Sequence, residues 1–367
     1  MIVILTQCFP SKVGGIETLV YNIAKFLSKN KKVVVLADTQ NISNDKIFDM
    51  NEKNFQIKRF RGLKLLRKRK KLKELVNIFS LNHIEAVISD SWKSLELPII
   101  FLNKNKIPTI SLIHGNEIII KNEKHKKRIQ NILELTNGIV TNSNFTTKLL
   151  SEISNKLQNI NVIYPGIDFT NKYNEERVKL NKGTPTLLTL ARLEKRKGHS
   201  LILRSIYNLK NLYPKIQYII AGEGYELDNI KKLIKKYSLE QNVNLVGTIN
   251  ENQKNYIFSK TDIMVMPTSD EIHEKSIEGF GISYIEAAKF GIPSIASNVG
   301  GTPEAVLNKN TGLIINEISE LDDAIQKLIE DKNFRFELGE NAKIRAEKEL
   351  NWETQINKYN KLITNIQ

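Results

Sequence analysis

The sequence predicts an α/β protein built from two doubly wound, mostly parallel sheets. Three observations carry that expectation. Short β-branched strands alternate with longer helix-period segments throughout the 367 residues. The strands are apolar from end to end, as strands buried on both faces are. The alternation breaks once, at the turn chemistry of Tyr164-Pro165-Gly166-Ile167-Asp168, and then starts again. The break suggests a first domain of residues 1–166, with a second beginning at residue 167.

The elements follow in order. Met1–Leu5 and Lys32–Ala37 read as buried strands, and Ile16, Leu19, Val20, Ile23, Phe26 and Leu27 between them keep helical spacing. Glu85–Ser89, Thr109–Ile113, Gly138–Thr141 and Asn161–Ile163 read as further strands. After the break come strand Thr186–Leu190, a helix from about Ser200, strand Gln217–Ala221, helix Leu227–Tyr237, and strands Val243–Val246 and Ile263–Met266. Helix Ile282–Lys289, strand Ser294–Ala296, helix Pro303–Leu307, strand Gly312–Ile315 and two long helices complete the pattern. In such folds ligands sit at the carboxyl ends of the strands, and a cleft between two domains of this kind is the default ligand site.

Composition bounds the function. A hydrophobic share of 41% supports real cores and argues against disorder. A single cysteine, Cys8, excludes a disulfide framework and a Cys-based zinc site. Apolar runs such as Leu97–Leu102 fall short of the roughly 20 residues of a membrane span, and the start of the chain lacks a basic region before its apolar residues. The expected location is the cytoplasm.

The net charge of +15 is unevenly spread. Residues 1–166 hold 27 Lys+Arg against 13 Asp+Glu, while the remainder is nearly balanced. Lys58, Arg59, Arg61, Lys64, Arg67, Lys68, Arg69, Lys70, Lys71 and Lys73 fall within sixteen residues that contain no acid. Lys121, Lys124, Lys126, Lys127 and Arg128 form a second cluster. Leu65, Leu72, Leu75, Val76 and Phe79 recur at near-heptad steps, so the first cluster is expected to enter a helix with one docked and one basic face. Such a face is either simply solvated or drawn to anionic lipid headgroups, where each basic residue contributes on the order of 1 kcal/mol. Interleaved aromatics and recognition motifs are missing, which argues against nucleic acid.

Four segments carry candidate chemistry. Gly14 and Gly15 follow the first strand and open a helix, where backbone can approach an anion; no third glycine completes a dinucleotide fingerprint, and Gly222-Glu-Gly224 lacks one too. No Walker-type phosphate loop occurs. Arg192 and Lys197 lie in Ala191-Arg-Leu-Glu-Lys-Arg-Lys197-Gly198-His199 after a strand, where two cations could clamp a diphosphate. Glu278-Gly279-Phe280-Gly281-Ile282-Ser-Tyr-Ile-Glu286 places two glutamates eight apart around a glycine turn. Eight helical residues rise about 12 Å, too far for the pair separation of about 5–5.5 Å in retaining glycoside hydrolysis, so they suit the two ends of a long ligand. His114, in His114-Gly-Asn-Glu117 after a strand, could donate a hydrogen bond to a reacting sugar or leaving phosphate. His83, His125, His199 and His273 show no metal-ligand spacing.

Taken together, these segments resemble the retaining GT-B glycosyltransferases of family 4. Ile163-Tyr-Pro-Gly-Ile-Asp168, Val246-Gly247, Asp262 to Pro267, Gly300-Gly301-Thr-Pro-Glu304 and Thr311-Gly312-Leu extend the likeness, in the family's order, from residue 14 to residue 315. The resemblance implies a GT-B fold of two Rossmann-like domains facing a cleft, the second spanning 167–351, with the final segment, 352–367, returning as a helix to the first domain. It implies that Gly15 faces the donor diphosphate from the first domain and that Arg192 and Lys197 bind it from the second. Glu278 would contact the transferred sugar, Gly279, Phe280, Gly281 and Ile282 would hold sugar and phosphate through backbone amides, and Glu286 would bind the ribose. His114 would lie near the reacting sugar, and Val246 and Gly247 would border the base. No metal or other cofactor is implied, the nucleotide sugar being a co-substrate. Two departures stand out: Ala191 replaces the usual glycine before Arg192, and Ser269–Ile277 is long, like the version in enzymes that glycosylate lipids.

The expected activity is retaining transfer of a hexose from a nucleotide diphosphate sugar, UDP favoured and GDP the alternative, to a membrane lipid such as a diacylglycerol, phosphoinositide or polyprenyl-linked lipid. The basic first domain would face the acceptor and the inner surface of the cell membrane, making the enzyme peripheral. A soluble or polysaccharide acceptor, and a non-catalytic scaffold binding sugar nucleotide or membrane, are the rival readings. No feature of the sequence specifies an oligomeric state.

Overall fold

The computed structural model describes residues 1–170, 174–269 and 276–367. The chain forms two compact units, Met1–Gly166 with Trp352–Gln367, and Ile167–Asn351.

The first unit holds a seven-stranded parallel sheet of β1 (Ile2–Thr6), β2 (Val33–Asp38), β3 (Gln56–Phe60), β4 (Ala86–Ser89), β5 (Thr109–Ile113), β6 (Gly138–Thr141) and β7 (Ile160–Val162), in the order β3-β2-β1-β4-β5-β6-β7. Side chains of a strand point alternately to its two faces. Here Ile2 and Ile4 enter one core with Val20, Ile23 and Leu27, while Val3 and Leu5 enter the other with Leu75, Trp92 and Ile129. The second unit repeats the plan with β8 (Thr186–Leu190), β9 (Gln217–Ala221), β10 (Val243–Gly247), β11 (Ile263–Met266), β12 (Ser294–Ser297) and β13 (Gly312–Ile315), ordered β10-β9-β8-β11-β12-β13. Strand order reverses between β1 and β4 and again between β8 and β11, and ligands of doubly wound sheets bind outside the strand ends at such a reversal.

The helix Trp352–Asn365 belongs to the first unit although it follows the whole of the second. Trp352, Ile356, Tyr359 and Ile363 recur at helical spacing and enter the core of Ile2 and Val20, and the Trp352 indole stacks on Phe26 at 5.8 Å. Burying each such side chain contributes roughly 1.5–3 kcal/mol.

Three differences from the sequence expectations have physical causes. Helix Ile42–Asn51 has almost no amphipathic pattern and starts instead on a cap, the Asn41 side chain accepting from the Ser43 and Asn44 amides. The end of the chain forms three helices, not two, because Asp331 accepts from the Phe334 amide and starts Lys332–Lys348 afresh after Leu321–Glu330. The basic segment is not one helix: Lys58 and Arg59 lie on the edge strand β3, and the helix runs from Lys64 to Leu81. Its buried residues are Lys71, Leu75 and Ile78, whereas Leu65, Val76 and Phe79 are exposed. Among the described residues no helix is long and apolar enough to cross a membrane.

Candidate functional site

In the second unit the site grows out of the reversal between β8 and β11. The chain leaves β8 at Leu190 and tightens into the single turn Lys195–Lys197, which ends at Gly198 with φ +74°. A side chain at Gly198 would start 2.5 Å from the Pro267 carbonyl oxygen, so only glycine lets this turn close on the segment after β11. Gly222 plays a similar part: a Cβ there would meet the Ala191 oxygen at 2.0 Å. The paired glycines of Gly222-Glu-Gly224 thus serve the packing of the Arg192 segment.

The turn delivers its cations to Glu278. Arg196 donates to Glu278 Oε2 at 2.9 Å and Lys197 donates to the same oxygen, with both cations largely buried. Arg196 also donates through Nε to Glu194 Oε2 at 3.0 Å, and the other oxygen of Glu194 pairs with Arg192 at 2.5 Å. The result is a chain of five charges, Arg192–Glu194–Arg196–Glu278–Lys197, carrying one net positive charge. Burial opposes ionisation of Glu278, but Lys197 and Arg196 outweigh it and hold its carboxyl below the ordinary glutamate range. Of these five, Arg192 alone projects outward, its side chain 68% exposed. Behind it, buried His199 reaches the Arg192 carbonyl with Nε2 at 3.5 Å and the Tyr218 hydroxyl with Nδ1 at 3.3 Å; burial pushes this imidazole down to about 4.

Glu286 stands on the seven-residue helix Ile282–Ala288. Ser283 ties that helix to the end of β8 by donating to the Leu190 carbonyl at 2.6 Å, and Tyr284 ties it to β11 through the Met266 carbonyl at 2.6 Å. Glu286 pairs at 2.6 Å with Lys254, which also meets Glu251 at 2.8 Å. Burial works against the Lys254 charge, and the two carboxylates overcome it and raise its pKa. The two glutamates therefore have separate cations. Phe280 is buried beside Gly281 (φ +96°), and Gly247, at the end of β10, has open space where a side chain would stand.

In the first unit the reversal between β1 and β4 is organised by Asp90. One of its oxygens accepts from the Gln7 amide at 2.7 Å, the Thr6 hydroxyl at 3.0 Å and the Cys8 amide at 3.2 Å, and the other accepts from Ser94 at 2.6 Å. His114, after β5, sends Nε2 to the Asp90 carbonyl at 2.8 Å, while its amide donates to Glu117 at 2.6 Å. A carbonyl only accepts, so Nε2 carries the proton, and Nδ1 of the neutral ring is an acceptor. The helix Gly15–Leu27 opens at the expected glycines. The buried Glu17 carboxylate lies against Gly14, where a Cβ would fall 2.3 Å from Oε2, so the helix start already faces an acid.

Half of the basic segment is paired with acids. Lys58 pairs with Glu74, Arg59 with Asp49 and Asp45, Arg67 and Lys71 with Asp38, and Lys68 with Glu96. Lys71 is fully buried and also donates to the Thr6 carbonyl at 2.9 Å. Only Arg61, Lys64, Arg69, Lys70 and Lys73 are exposed, and exposed Leu63, Leu65 and Leu66 lie among them. Arg128 of the second cluster also pairs with Glu96.

Of the residues singled out in the sequence, the fold brings Lys197 and Glu278 together and leaves Arg192 next to them through Glu194. Sequence reasoning passed over Arg196, Glu194, Lys254 and Asp90; the first two lie inside a quoted motif, but nothing in the motif says that Arg196 turns inward. The long segment before Glu278 falls largely on residues 270–275, including His273, outside the described residues. Among the described residues no group of three His, Cys, Asp or Glu side chains is placed to hold a metal.

Comparison with known proteins agrees with this layout. Residues 13–171 match the model of Glycosyltransferase Family 4, and residues 171–345 match that of Glycosyl transferases group 1. A GDP-mannose-dependent monoacylated alpha-(1-6)-phosphatidylinositol monomannoside mannosyltransferase of Corynebacterium glutamicum is 23% identical over 372 residues, covering 95% of this chain and 94% of that protein. A GDP-mannose-dependent alpha-(1-6)-phosphatidylinositol monomannoside mannosyltransferase of Mycobacterium tuberculosis is 24% identical over 222 residues, which span 58% of this chain and 57% of that protein. Among solved structures, HepE of Anabaena in complex with UDP superposes with a TM-score of 0.78 at 18% identity, covering 99% of both chains. Sucrose-phosphate synthase of Thermosynechococcus elongatus gives 0.78 at 19% identity, covering 100% of this chain and 98% of that one. The two sheets, their order and the two matched models converge on one assignment: the chain belongs to glycosyltransferase family 4 and is a glycosyltransferase of the GT-B fold.

Proposed function

We propose that the protein transfers a hexose, with retention of anomeric configuration, from a UDP- or GDP-sugar to a membrane lipid. The observation that carries the reading is Glu278, an ionised buried carboxylate held by Arg196 and Lys197 at the reversal of the second sheet, with the exposed guanidinium of Arg192 beside it. A nucleotide diphosphate sugar brings two negative phosphates and a ring of hydroxyls. Arg192 and Lys197 take the diphosphate and neutralise the charge that grows on it as the glycosidic bond breaks. Glu278 accepts hydrogen bonds from the sugar, Glu286 accepts from the ribose, and the open space at Gly247 borders the base. With the leaving phosphate stabilised by side-chain cations, it can itself take the acceptor's proton, and no metal is required in this scheme.

The acceptor reading rests on the first unit. Leu63, Leu65 and Leu66 expose apolar surface among Arg61, Lys64, Arg69 and Lys70, a composition suited to anionic headgroups over an acyl boundary. The mannosyltransferase relatives are named for phosphatidylinositol acceptors, which supports the same class here. Calorimetric titration with UDP and GDP, followed by transfer from the matching nucleotide sugars to a lipid extract, tests the whole reading. Binding of one nucleotide with micromolar affinity and a radiolabelled lipid product are expected. Heat from neither nucleotide, or label found only in water-soluble product, overturns the donor or the lipid half respectively.

A further inference from the structure

We propose that Arg196 is the positioning residue of the site: it keeps Glu278 oriented and ionised while Lys197 is engaged by the donor diphosphate. The inference rests on the reading of Lys197 as a diphosphate ligand. Both cations converge on the same oxygen, Glu278 Oε2. A lysine ammonium is a point charge on a flexible stem, free to turn toward a phosphate, whereas the planar arginine fork is fixed by two partners. Arg196 has those two partners, Glu194 through Nε at 3.0 Å and Glu278 through Nη1 at 2.9 Å. It is itself largely buried, with 6% of its side chain exposed, so its head has no solvent route away from Glu278.

The need for a second cation follows from the first one's task. When Lys197 shares its charge with an entering diphosphate, Glu278 would lose its nearest neutralising group in a buried place. An isolated carboxylate there takes up a proton or swings toward water, and either change removes the acceptor that sugar hydroxyls require. Arg196 prevents both. Glu194 completes the arrangement by orienting the fork, and it also pairs with Arg192, so donor binding at Arg192 releases one oxygen of Glu194 without freeing Arg196.

Three variants of the full chain, Arg196→Met, Arg196→Lys and Lys197→Met, test this. Binding of UDP and GDP is measured by calorimetry, kcat with the matching nucleotide sugar across pH 4–9, and the Glu278 carboxyl by carbon-detected NMR in the nucleotide-free protein. Arg196→Met is expected to lower kcat about 100-fold, the scale of a misplaced reacting group, to leave nucleotide affinity within about threefold of wild type, and to move both the acid limb of kcat and the carboxyl titration to higher pH. Arg196→Lys is expected to restore the acid limb and most of kcat. Lys197→Met is expected to lose nucleotide affinity. The assignment is overturned if Arg196→Met weakens nucleotide binding as much as Lys197→Met does, or if kcat or the carboxyl titration stays where it is in the wild type. Should Arg196→Met not fold, Arg196→Gln takes its place, and a Glu278 titration unmoved from that of the wild type overturns the proposal. If the wild type binds neither nucleotide, the donor reading fails by itself, and the NMR titration still rules on whether Arg196 governs Glu278.

Discussion

Two segments crowded with cations meet opposite fates in this protein. Between Lys58 and Lys73, five of ten basic side chains are spent on acids of their own unit and five face outward. Between Arg192 and Lys197, two of the four cations turn inward to one glutamate, and Arg192 and Lys195 are left outward. The inward charges of the first segment hold strands and helices in register; those of the second surround a carboxylate at the place where a parallel sheet binds ligands. Density of charge in a sequence thus says little about its use. What decides is where the partner acids come from: Asp38 and Glu74 for the first, and Glu278, more than eighty residues away, for the second.

The contrast is broken or sharpened by four measurements. Glu278→Gln should lower kcat about 1000-fold, the cost of removing a preorganised electrostatic group, while wild-type folding is retained by circular dichroism; a loss under tenfold would make the inward cluster merely structural. Lys71→Met keeps the stem packed but leaves Asp38 with Arg67 alone, so unfolding free energy should fall by about 3 kcal/mol with no change in donor KM. A titration of stability separates the two segments again. His199 supports the Arg192 segment with its pKa lowered to about 4 from an ordinary 6.5. Protons bind the unfolded chain first, so the stability that neutral His199 contributes is present above pH 6.5 and drains away as pH falls toward 4. This amounts to about 3 kcal/mol, and His199→Gln should flatten that part of the melting-temperature profile. The smallest effect belongs to an outward cation: Lys70→Gln should weaken partitioning onto phosphatidylglycerol vesicles about fivefold, or about 1 kcal/mol, without moving the melting temperature.

The legible part of the fold was the part with a period. Uninterrupted apolar strands such as Ile2–Thr6 and Ile263–Met266 lie where their composition places them, because burial on both faces leaves no room for polar residues. Gln56–Phe60 escaped, since an edge strand carrying Lys58 and Arg59 has one face to satisfy and no apolar alternation. Helix Ile42–Asn51 escaped because a cap, not a stripe, defines it. At the site, Lys197 and Glu278 were legible as residue types whose chemistry fits a diphosphate sugar. Their mutual contact was not, and neither were Lys254 and Asp90, because each acts through a partner that only the topology brings near.

The helix Trp352–Asn365 has a consequence for how the protein is made. Its tryptophan and tyrosine fill the interior of a sheet whose first strand leaves the ribosome some 350 residues earlier. The earlier lobe therefore waits, its hydrophobic seat uncovered, until the later lobe has been synthesised. Truncation before residue 352 would strand that lobe in the unfinished condition and hand it to chaperones and proteases.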